Sequence, residues 1–236
     1  MQKTISQFIK GYLFEPIVNV FFPPLCCICE CYLPPDHKTI CATCWSEIPE
    51  FDGILDQSLR NKSFHNLYIL FQFEEKIRQL IHLLKYKRHL TLAQYFAREA
   101  KIRFPVFNNA NYDEIVPVPL YKTRKRERGY NQSEEIAKAL SHIFQIPVKS
   151  EHLLRTRSTL SQTKMSEKER EQNVRNAFSC PVRLTDSNIL LVDDVITTGS
   201  TIEACVKALL SAGAKKVDVF AIAHPSINQK VTVKNI

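Results

Sequence analysis

The segment that begins at Asn188 constrains the fold of this chain more than any other part of its sequence. An apolar run, 188–192, predicts a buried strand, and Asp193 and Asp194 follow it directly. A threonine-rich turn then leads into a stretch with apolar residues at helical spacing, and a second apolar run follows that helix. Strand, helix and strand in this order predict a parallel sheet with a right-handed crossover.

The same alternation extends far upstream. Apolar runs at 67–73 and 112–119 predict two further strands, and the residues between them show the apolar spacing of two helices. Asn131 and Glu134 form a helix-starting pair after the second of these strands. We therefore predict an α/β domain over residues 67–236, with a parallel sheet flanked by helices.

Three shorter segments precede this domain. Residues 1–22 predict an amphipathic arm, residues 23–50 a cysteine-rich module, and residues 51–66 a polar linker. No stretch approaches the ~20 apolar residues that a transmembrane helix needs, and no small-residue cleavage site follows the arm. We therefore expect a protein without a membrane span that works in the cytoplasm, where thiols stay reduced.

Most of the eight cysteines lie close together, between positions 26 and 44. Their spacing gives two CxxC pairs, Cys26/Cys29 and Cys41/Cys44. Two such pairs match the tetrahedral preference of zinc, and four protein ligands leave no open position, so we predict structural Zn²⁺. A redox pair or an incidental cluster is the alternative, and Cys27 and Cys31 leave the register of the ligands open.

Composition and the sparse glycines exclude several common functions. The five glycines are widely separated, so the chain has no GxGxxG dinucleotide loop, no GxxxxGK phosphate loop and no GxSxG nucleophile turn. No HExxH motif occurs, which removes the common zinc-protease signature. The hydrophobic fraction of 44% and the charged fraction of 24% are typical of a globular domain and exclude a largely disordered chain.

In an open parallel sheet, ligands bind beyond the carboxyl ends of the strands. The turn after Asp194 offers hydroxyls, backbone N–H groups and the positive end of a helix dipole, which together favour a phosphate. Adjacent carboxylates would repel a phosphate but suit ligand hydroxyls or Mg²⁺. A ligand with a vicinal diol and a terminal phosphate would suit both parts of this segment. Asp193 and Asp194 would bind the diol. The residues available to bind the phosphate are Thr197, Thr198, Gly199, Ser200 and Thr201.

This string resembles the phosphoribosyl pyrophosphate (PRPP) motif of the type I phosphoribosyltransferases. The resemblance implies that Asp193 and Asp194 bind the ribose hydroxyls of Mg²⁺-PRPP, and that residues 197–201 bind its 5-phosphate. Thr197 stands where purine-salvage members carry an acidic base, so that particular chemistry is not expected. A transferase also needs groups for the pyrophosphate, and the residues in place after the preceding strand are Arg124, Arg128 and Gly129.

Further motifs narrow the resemblance to the ComF family. Its features occur here in the family's order: the two CxxC pairs, Leu84-Lys85-Tyr86, the VPVP strand end at 116–119, Arg128-Gly129-Tyr130-Asn131-Gln132 and a spaced pattern across 154–178. The chain is therefore identified as similar to ComF proteins over residues 20–225. This resemblance implies a role in competence, the uptake of DNA for natural transformation.

The net charge of +8 is concentrated in a loop after residue 121. Together with the resemblance, this loop predicts contacts with single-stranded DNA through Lys122, Arg124, Lys125 and Arg126. Tyr121 or Tyr130 would serve there as stacking platforms or as buried anchors. The arm and the zinc module are candidates for docking a competence helicase or import protein. A solvated basic loop is the alternative.

Three functions remain open on the sequence. The first is a competence protein that binds PRPP and DNA, with Arg128 and Arg155 as candidate catalytic residues and residues 155–170 as a hood over the ligand. The second is a metabolic phosphoribosyltransferase acting on a base or an amine. The third is a PRPP sensor or assembly factor without turnover, because kinship of fold does not establish activity.

Overall fold

The computed structural model describes residues 23–34, 39–53, 55, 57–60, 62–109, 111–156 and 177–225. The chain divides into two compact units, Met1–Ile48 and Pro49–Ile236. The predicted arm, residues 1–22, and most of the predicted hood lie outside the described residues.

The first unit is small and centres on its cysteines. A short helix, α1 (Ala42–Ser46), begins after Cys41, whose sulfur accepts a hydrogen bond from the Cys44 amide over 3.4 Å. Leu25 and Tyr32 form an antiparallel bridge around the first cysteines. The buried aliphatic residues among those described are Leu33, Ile40 and Ile48.

The second unit is built on a four-stranded parallel sheet, as the sequence predicts. The strands are β1 (Leu67–Gln72), β2 (Glu114–Pro117), β3 (Leu154–Arg155), β4 (Phe178–Ser179), β5 (Asn188–Val195) and β6 (Lys216–His224). The main sheet has the order β1-β6-β5-β2 with every neighbouring pair parallel, and β3 and β4 form a separate antiparallel pair. The central strands β5 and β6 are buried almost throughout, because both faces of the sheet are covered.

Helices precede and connect these strands. They are α2 (Gln57–Arg60), α3 (Glu75–Tyr86), α4 (Thr91–Arg103), α5 (Val106–Asn109), α6 (Lys122–Arg128), α7 (Gln132–Phe144) and α8 (Ser200–Ser211). The buried residues of α3 recur at the predicted helical spacing. Asn131 starts α7 as predicted, because its side chain accepts a hydrogen bond from the Ser133 amide. No helix in the described part of the chain is long and apolar enough to cross a membrane.

The basic segment after Tyr121 is a helix, so its prediction as a loop was wrong. Lysine, arginine and glutamate are strong helix formers, and α6 consists of these residues with a single threonine. Gly129 ends the helix in a left-handed conformation, with φ of 80°. The charge pattern predicted the basic surface, but it did not reveal that this segment is a helix.

The amino-terminal edge of the sheet contains a buried carboxylate, Asp218, near the start of β6. Asp218 is 1% exposed and accepts hydrogen bonds from the Tyr112 hydroxyl over 2.5 Å and from the Asn66 backbone over 3.0 Å. Lys216 Nζ lies 3.1 Å from the same carboxylate. Because every partner is supplied by the protein, we interpret Asp218 as a structural residue.

Candidate functional site

The two adjacent carboxylates of β5 lie at the carboxyl edge of the sheet, beside the start of α7. Both are buried, with 9% exposure for Asp193 and 5% for Asp194. The Ser133 hydroxyl donates to Asp193 Oδ1 over 3.0 Å, and Gln132 Nε2 donates to Asp194 Oδ1 over 3.1 Å. The first residues of α7 therefore fix the orientation of both carboxylates.

A lysine from α3 forms an ion pair with this acidic pair. Lys85 Nζ lies 2.5 Å from Asp194 Oδ2, and both side chains are largely buried. The sequence placed Lys85 only within a family motif, because helical periodicity does not show which distant acid a lysine will meet. The one signal available was its position beside the buried Leu84 at the end of a helix.

Burial and the surrounding charges set the ionisation of the two carboxyl groups. Burial, followed by the charge of Asp194, raises the pKa of Asp193 to about 7. Burial acts on Asp194 as well, but the Lys85 ammonium and the hydrogen bonds to Asp194 outweigh it and hold its pKa below the ordinary value. Near neutral pH the pair therefore keeps one firm negative charge, and its second proton leaves close to pH 7.

The turn after β5 leads directly into the start of α8. Gly199 is the N-cap residue, with φ of 70°, a left-handed conformation that glycine adopts readily. The Thr198 and Ser200 hydroxyls lie 3.0 Å apart. The first N–H groups of a helix have no partner within that helix, so this turn can receive an anion close to the carboxylates.

The segment predicted as a linker reaches this turn. Leu59 is 1% exposed and packs against Gly199, where a Cβ atom would overlap its side chain. The Ser63 amide and hydroxyl each donate to the Glu203 carboxylate over 2.8 Å. Lys62 Cε lies 3.8 Å from the position of that Cβ atom. The segment thus holds the start of α8 and brings a lysine to it, which its polar composition did not indicate.

The structure also connects Arg128, one of the predicted pyrophosphate residues, to the acidic pair. Arg128 donates a hydrogen bond to Gln132 Oε1, and Gln132 in turn donates to Asp194. The Arg128 guanidinium lies over the Tyr86 ring, 4.9 Å from its centroid. Gly129, which ends α6, is the turn that follows this arginine.

The other basic residues of α6 face solvent, and they are Lys122, Arg124, Lys125 and Arg126. Lys125 lies 3.7 Å from Glu134 on α7. Tyr130, by contrast, is buried and donates its hydroxyl to the Leu84 carbonyl. Tyr130 is therefore a buried anchor between helices, the second of its two predicted roles, and not a stacking platform.

Arg155 approaches the site from the two-stranded sheet. Its guanidinium lies 5.4 Å from the centroid of the Phe178 ring. Burial lowers the pKa of this guanidinium, and the charges of Arg124 and Asp193 also act on it. Arg155 is thus within electrostatic reach of both the basic helix and the acidic pair.

In the first unit, five cysteine side chains gather at one place. The sulfurs of four lie within 4.8 Å of one another, and these are Cys26, Cys29, Cys31 and Cys41. The Sγ atoms of Cys29 and Cys41 are 3.8 Å apart, which matches the spacing of about 3.8 Å between two sulfurs in a tetrahedron of Zn–S bonds. Cys44 lies beside this group, because its backbone amide donates to the Cys41 sulfur over 3.4 Å. The donor set therefore fits zinc, with Cys31 and Cys44 both in reach of the fourth position.

Comparison with known proteins adds relatives over most of the chain. The phosphoribosyl transferase domain family matches residues 96–235. Competence protein F of Haemophilus influenzae is 33% identical over 199 residues, which are 78% of this chain and 84% of that protein. DNA utilization protein YhgH of Escherichia coli is 29% identical over 222 residues, which are 86% of this chain and 97% of that protein. Competence protein ComFC of Bacillus subtilis is 24% identical over 215 residues, which are 80% and 85% of the two chains.

Two solved structures share a weaker likeness. Glutamine phosphoribosylpyrophosphate amidotransferase from B. subtilis aligns with a TM-score of 0.37 and 25% identity, over 56% of this chain and 25% of that chain. UMP synthase of Leishmania donovani aligns with a TM-score of 0.37 and 17% identity, over 63% of this chain and 24% of that chain.

Proposed function

The chain belongs to the competence protein F family and carries a phosphoribosyl transferase domain, and on this premise we propose that it binds Mg²⁺-PRPP and single-stranded DNA in the cytoplasm. Asp193 and Asp194 accept the ribose hydroxyls in this proposal. Residues 197–201 bind the 5-phosphate, and Arg124, Arg128 and Gly129 bind the pyrophosphate.

One observation carries the PRPP proposal: a buried acidic pair is followed directly by a helix start that suits an anion. Two adjacent buried carboxylates destabilise a fold unless a ligand or a cation compensates their negative charge. Shortly after the pair, at Ser200, α8 begins with the dipole orientation that attracts a phosphate. A diol and a phosphate joined by one sugar span these two features, and PRPP offers both.

The remaining groups of the proposed site would bind pyrophosphate, which is the leaving group when ribose phosphate is transferred from PRPP. Arg128 has a planar fork suited to two phosphate oxygens, and its bond to Gln132 holds it beside the acidic pair. Bound Mg²⁺ would neutralise phosphate oxygens that face the carboxylates. Arg155 and Arg128 are the residues that would stabilise charge if ribose phosphate is transferred to an acceptor.

Titration of Mg²⁺-PRPP into the purified protein by calorimetry tests this site. We expect saturable binding by the wild type and an affinity lower by at least about tenfold in the Asp193→Asn/Asp194→Asn variant, because neutral amides bind hydroxyls and Mg²⁺ more weakly than carboxylates. An Asp186→Asn variant, which changes an exposed acid before the start of β5, at the opposite end of that strand from the acidic pair, should keep most of the affinity. A folded, zinc-loaded wild type that does not bind Mg²⁺-PRPP would refute the proposal.

The DNA part of the proposal rests on α6. Its exposed cations are spaced along one short helix next to the ligand site, and the phosphate backbone of DNA binds such surfaces through release of counterions. Binding of this kind has little dependence on sequence, which suits a protein that handles incoming single strands.

Neutralising three of these cations should flatten the salt dependence of DNA binding. We expect the slope of log K against log salt for a single-stranded oligonucleotide to fall by about 2, because each phosphate that the protein no longer neutralises reduces the slope by about 0.7. The variant is Arg124→Gln/Lys125→Gln/Arg126→Gln, and the charge-matched control is Lys101→Gln/Lys207→Gln/Lys215→Gln. Equal slopes for the two variants, measured by fluorescence anisotropy, would show that α6 does not bind the strand.

We further propose that residues 23–50 form a module held by structural Zn²⁺ on Cys26, Cys29, Cys41 and Cys44. Four thiolates complete the coordination of the metal, which leaves no position for catalysis. With the arm, residues 1–22, this module is the part of the chain proposed to dock a competence helicase or import protein. Residues 51–66 connect it to the phosphoribosyl transferase domain, residues 67–236.

A further inference from the structure

Lys85 occupies an oxygen of Asp194 that a ligand would use. Asp194 Oδ1 accepts the hydrogen bond from Gln132, and Oδ2 faces the Lys85 ammonium at 2.5 Å. The two side chains are only 13% and 6% exposed. A ribose hydroxyl or Mg²⁺ that reaches Asp194 must therefore displace the ammonium or share the carboxylate with it.

A displaced ammonium needs a new anion. An ammonium group is strongly hydrated, and separating it from a buried carboxylate without another partner is unfavourable. The side chain is long and flexible, so a small rotation moves the charge by several ångströms. The positions of the groups around Lys85 therefore determine which anion its ammonium can reach.

The residues around Lys85 include Tyr86, which contacts Arg128, one of the proposed pyrophosphate ligands. Tyr86, the next residue, lies under the Arg128 guanidinium, and its hydroxyl is 3.4 Å from Arg128 Nη2. Arg128 is also joined to Asp194 through Gln132. The end of α3 and the end of α6 thus place two cations near Asp194, one in direct contact and one through Gln132. A pyrophosphate bound beside them could attract the Lys85 ammonium away from Asp194.

We propose that Lys85 exchanges partners on ligand binding, an inference that rests on the proposed PRPP site. It neutralises Asp194 in the unliganded protein and binds the pyrophosphate of Mg²⁺-PRPP when the ribose engages Asp194. Lys85 is then a pyrophosphate ligand supplied by a helix outside the PRPP motif. The ion pair also keeps Asp194 ionised and correctly oriented before the ligand arrives.

Calorimetry with three probes tests the exchange in a Lys85→Met variant. We expect affinity for Mg²⁺-PRPP and for Mg²⁺-pyrophosphate to fall by about tenfold or more, because both ligands use a charge-assisted hydrogen bond from Lys85. Affinity for ribose 5-phosphate should not fall, because this probe brings no pyrophosphate to receive the ammonium that its ribose displaces. Lys85→Arg, which keeps the charge, should recover much of the pyrophosphate affinity.

The control is Lys87→Met, an exposed lysine at the end of the same helix, and it should bind all probes as the wild type does. Thermal unfolding of each variant shows that the domain is folded. A Lys85→Met protein whose affinity for Mg²⁺-pyrophosphate equals that of the wild type overturns the exchange, even if PRPP binding falls. Failure of the wild type to bind Mg²⁺-PRPP would instead overturn the proposed function and this inference with it.

Discussion

Removal of zinc from the purified protein is expected to unfold the cysteine module while the phosphoribosyl transferase domain stays folded. Within the described residues of the module, 23–34 and 39–48, three aliphatic side chains are buried, Leu33, Ile40 and Ile48. A core of this size cannot fold a segment alone. A structural zinc site contributes on the order of 10 kcal/mol to folding, so the metal decides whether the module folds.

Trp45 makes this unfolding visible, because it is the single tryptophan of the chain and follows Cys44 within α1. An excess of chelator should release one Zn²⁺ per chain and shift the Trp45 emission to longer wavelength. The circular dichroism of the sheet domain should persist, since that unit has its own core around β5 and β6. Release of zinc without any change in the Trp45 emission would contradict a structural role for the metal.

Single serine variants then identify the fourth ligand. Cys44 is buried and lies one helical turn from Cys41, whereas Cys31 is exposed. We expect Cys44→Ser to lose zinc and Cys31→Ser to retain one zinc per chain, as measured by metal analysis after dialysis. The reverse result would place Cys31 in the coordination sphere and correct the predicted pairing of CxxC turns.

The sheet and the acidic pair were predictable because their signals are local. A buried parallel strand is apolar along its whole length. An apolar run that ends in two acidic residues therefore predicts both β5 and the edge of the sheet at which a ligand binds. The helix starts at Asn131 and Gly199 carry similarly local signals in capping and turn residues. These features need no knowledge of distant contacts.

The supporting residues were not predictable, because each depends on a contact across the fold. Ser133 lies 60 positions from its carboxylate partner in the sequence, and Lys85 lies still farther from Asp194. Leu59 is one of several apolar residues in a mostly polar segment, and its burial against Gly199 requires the finished domain. The basic segment α6 shows the converse case, since its charges dominated the pattern and concealed its helix-forming composition.

Replacement of Asp193 by asparagine is expected to stabilise the ligand-free protein at pH 8 and to weaken PRPP binding. Burial raises the pKa of Asp193 from an ordinary value of 3.8 to about 7. Between these values the folded protein retains a proton that the unfolded chain has released, so stability falls as the pH rises and the full penalty is present above about pH 7. At about 1.4 kcal/mol for each pKa unit, the penalty reaches a few kcal/mol.

Asparagine removes this penalty because it is neutral and of the same shape, and its Oδ1 can still accept the Ser133 hydroxyl. The gain in free energy of unfolding should grow between pH 5 and pH 7 and level off above that range, as measured by urea denaturation with circular dichroism. Asp218→Asn is the matched control, because Asp218 is also buried but fully satisfied by protein groups. It should lose about 1–3 kcal/mol. If Asp193→Asn lost stability at pH 8 as well, Asp193 would be a structural residue. The expected gain would instead mark Asp193 as a carboxylate that the fold tolerates for the sake of a ligand.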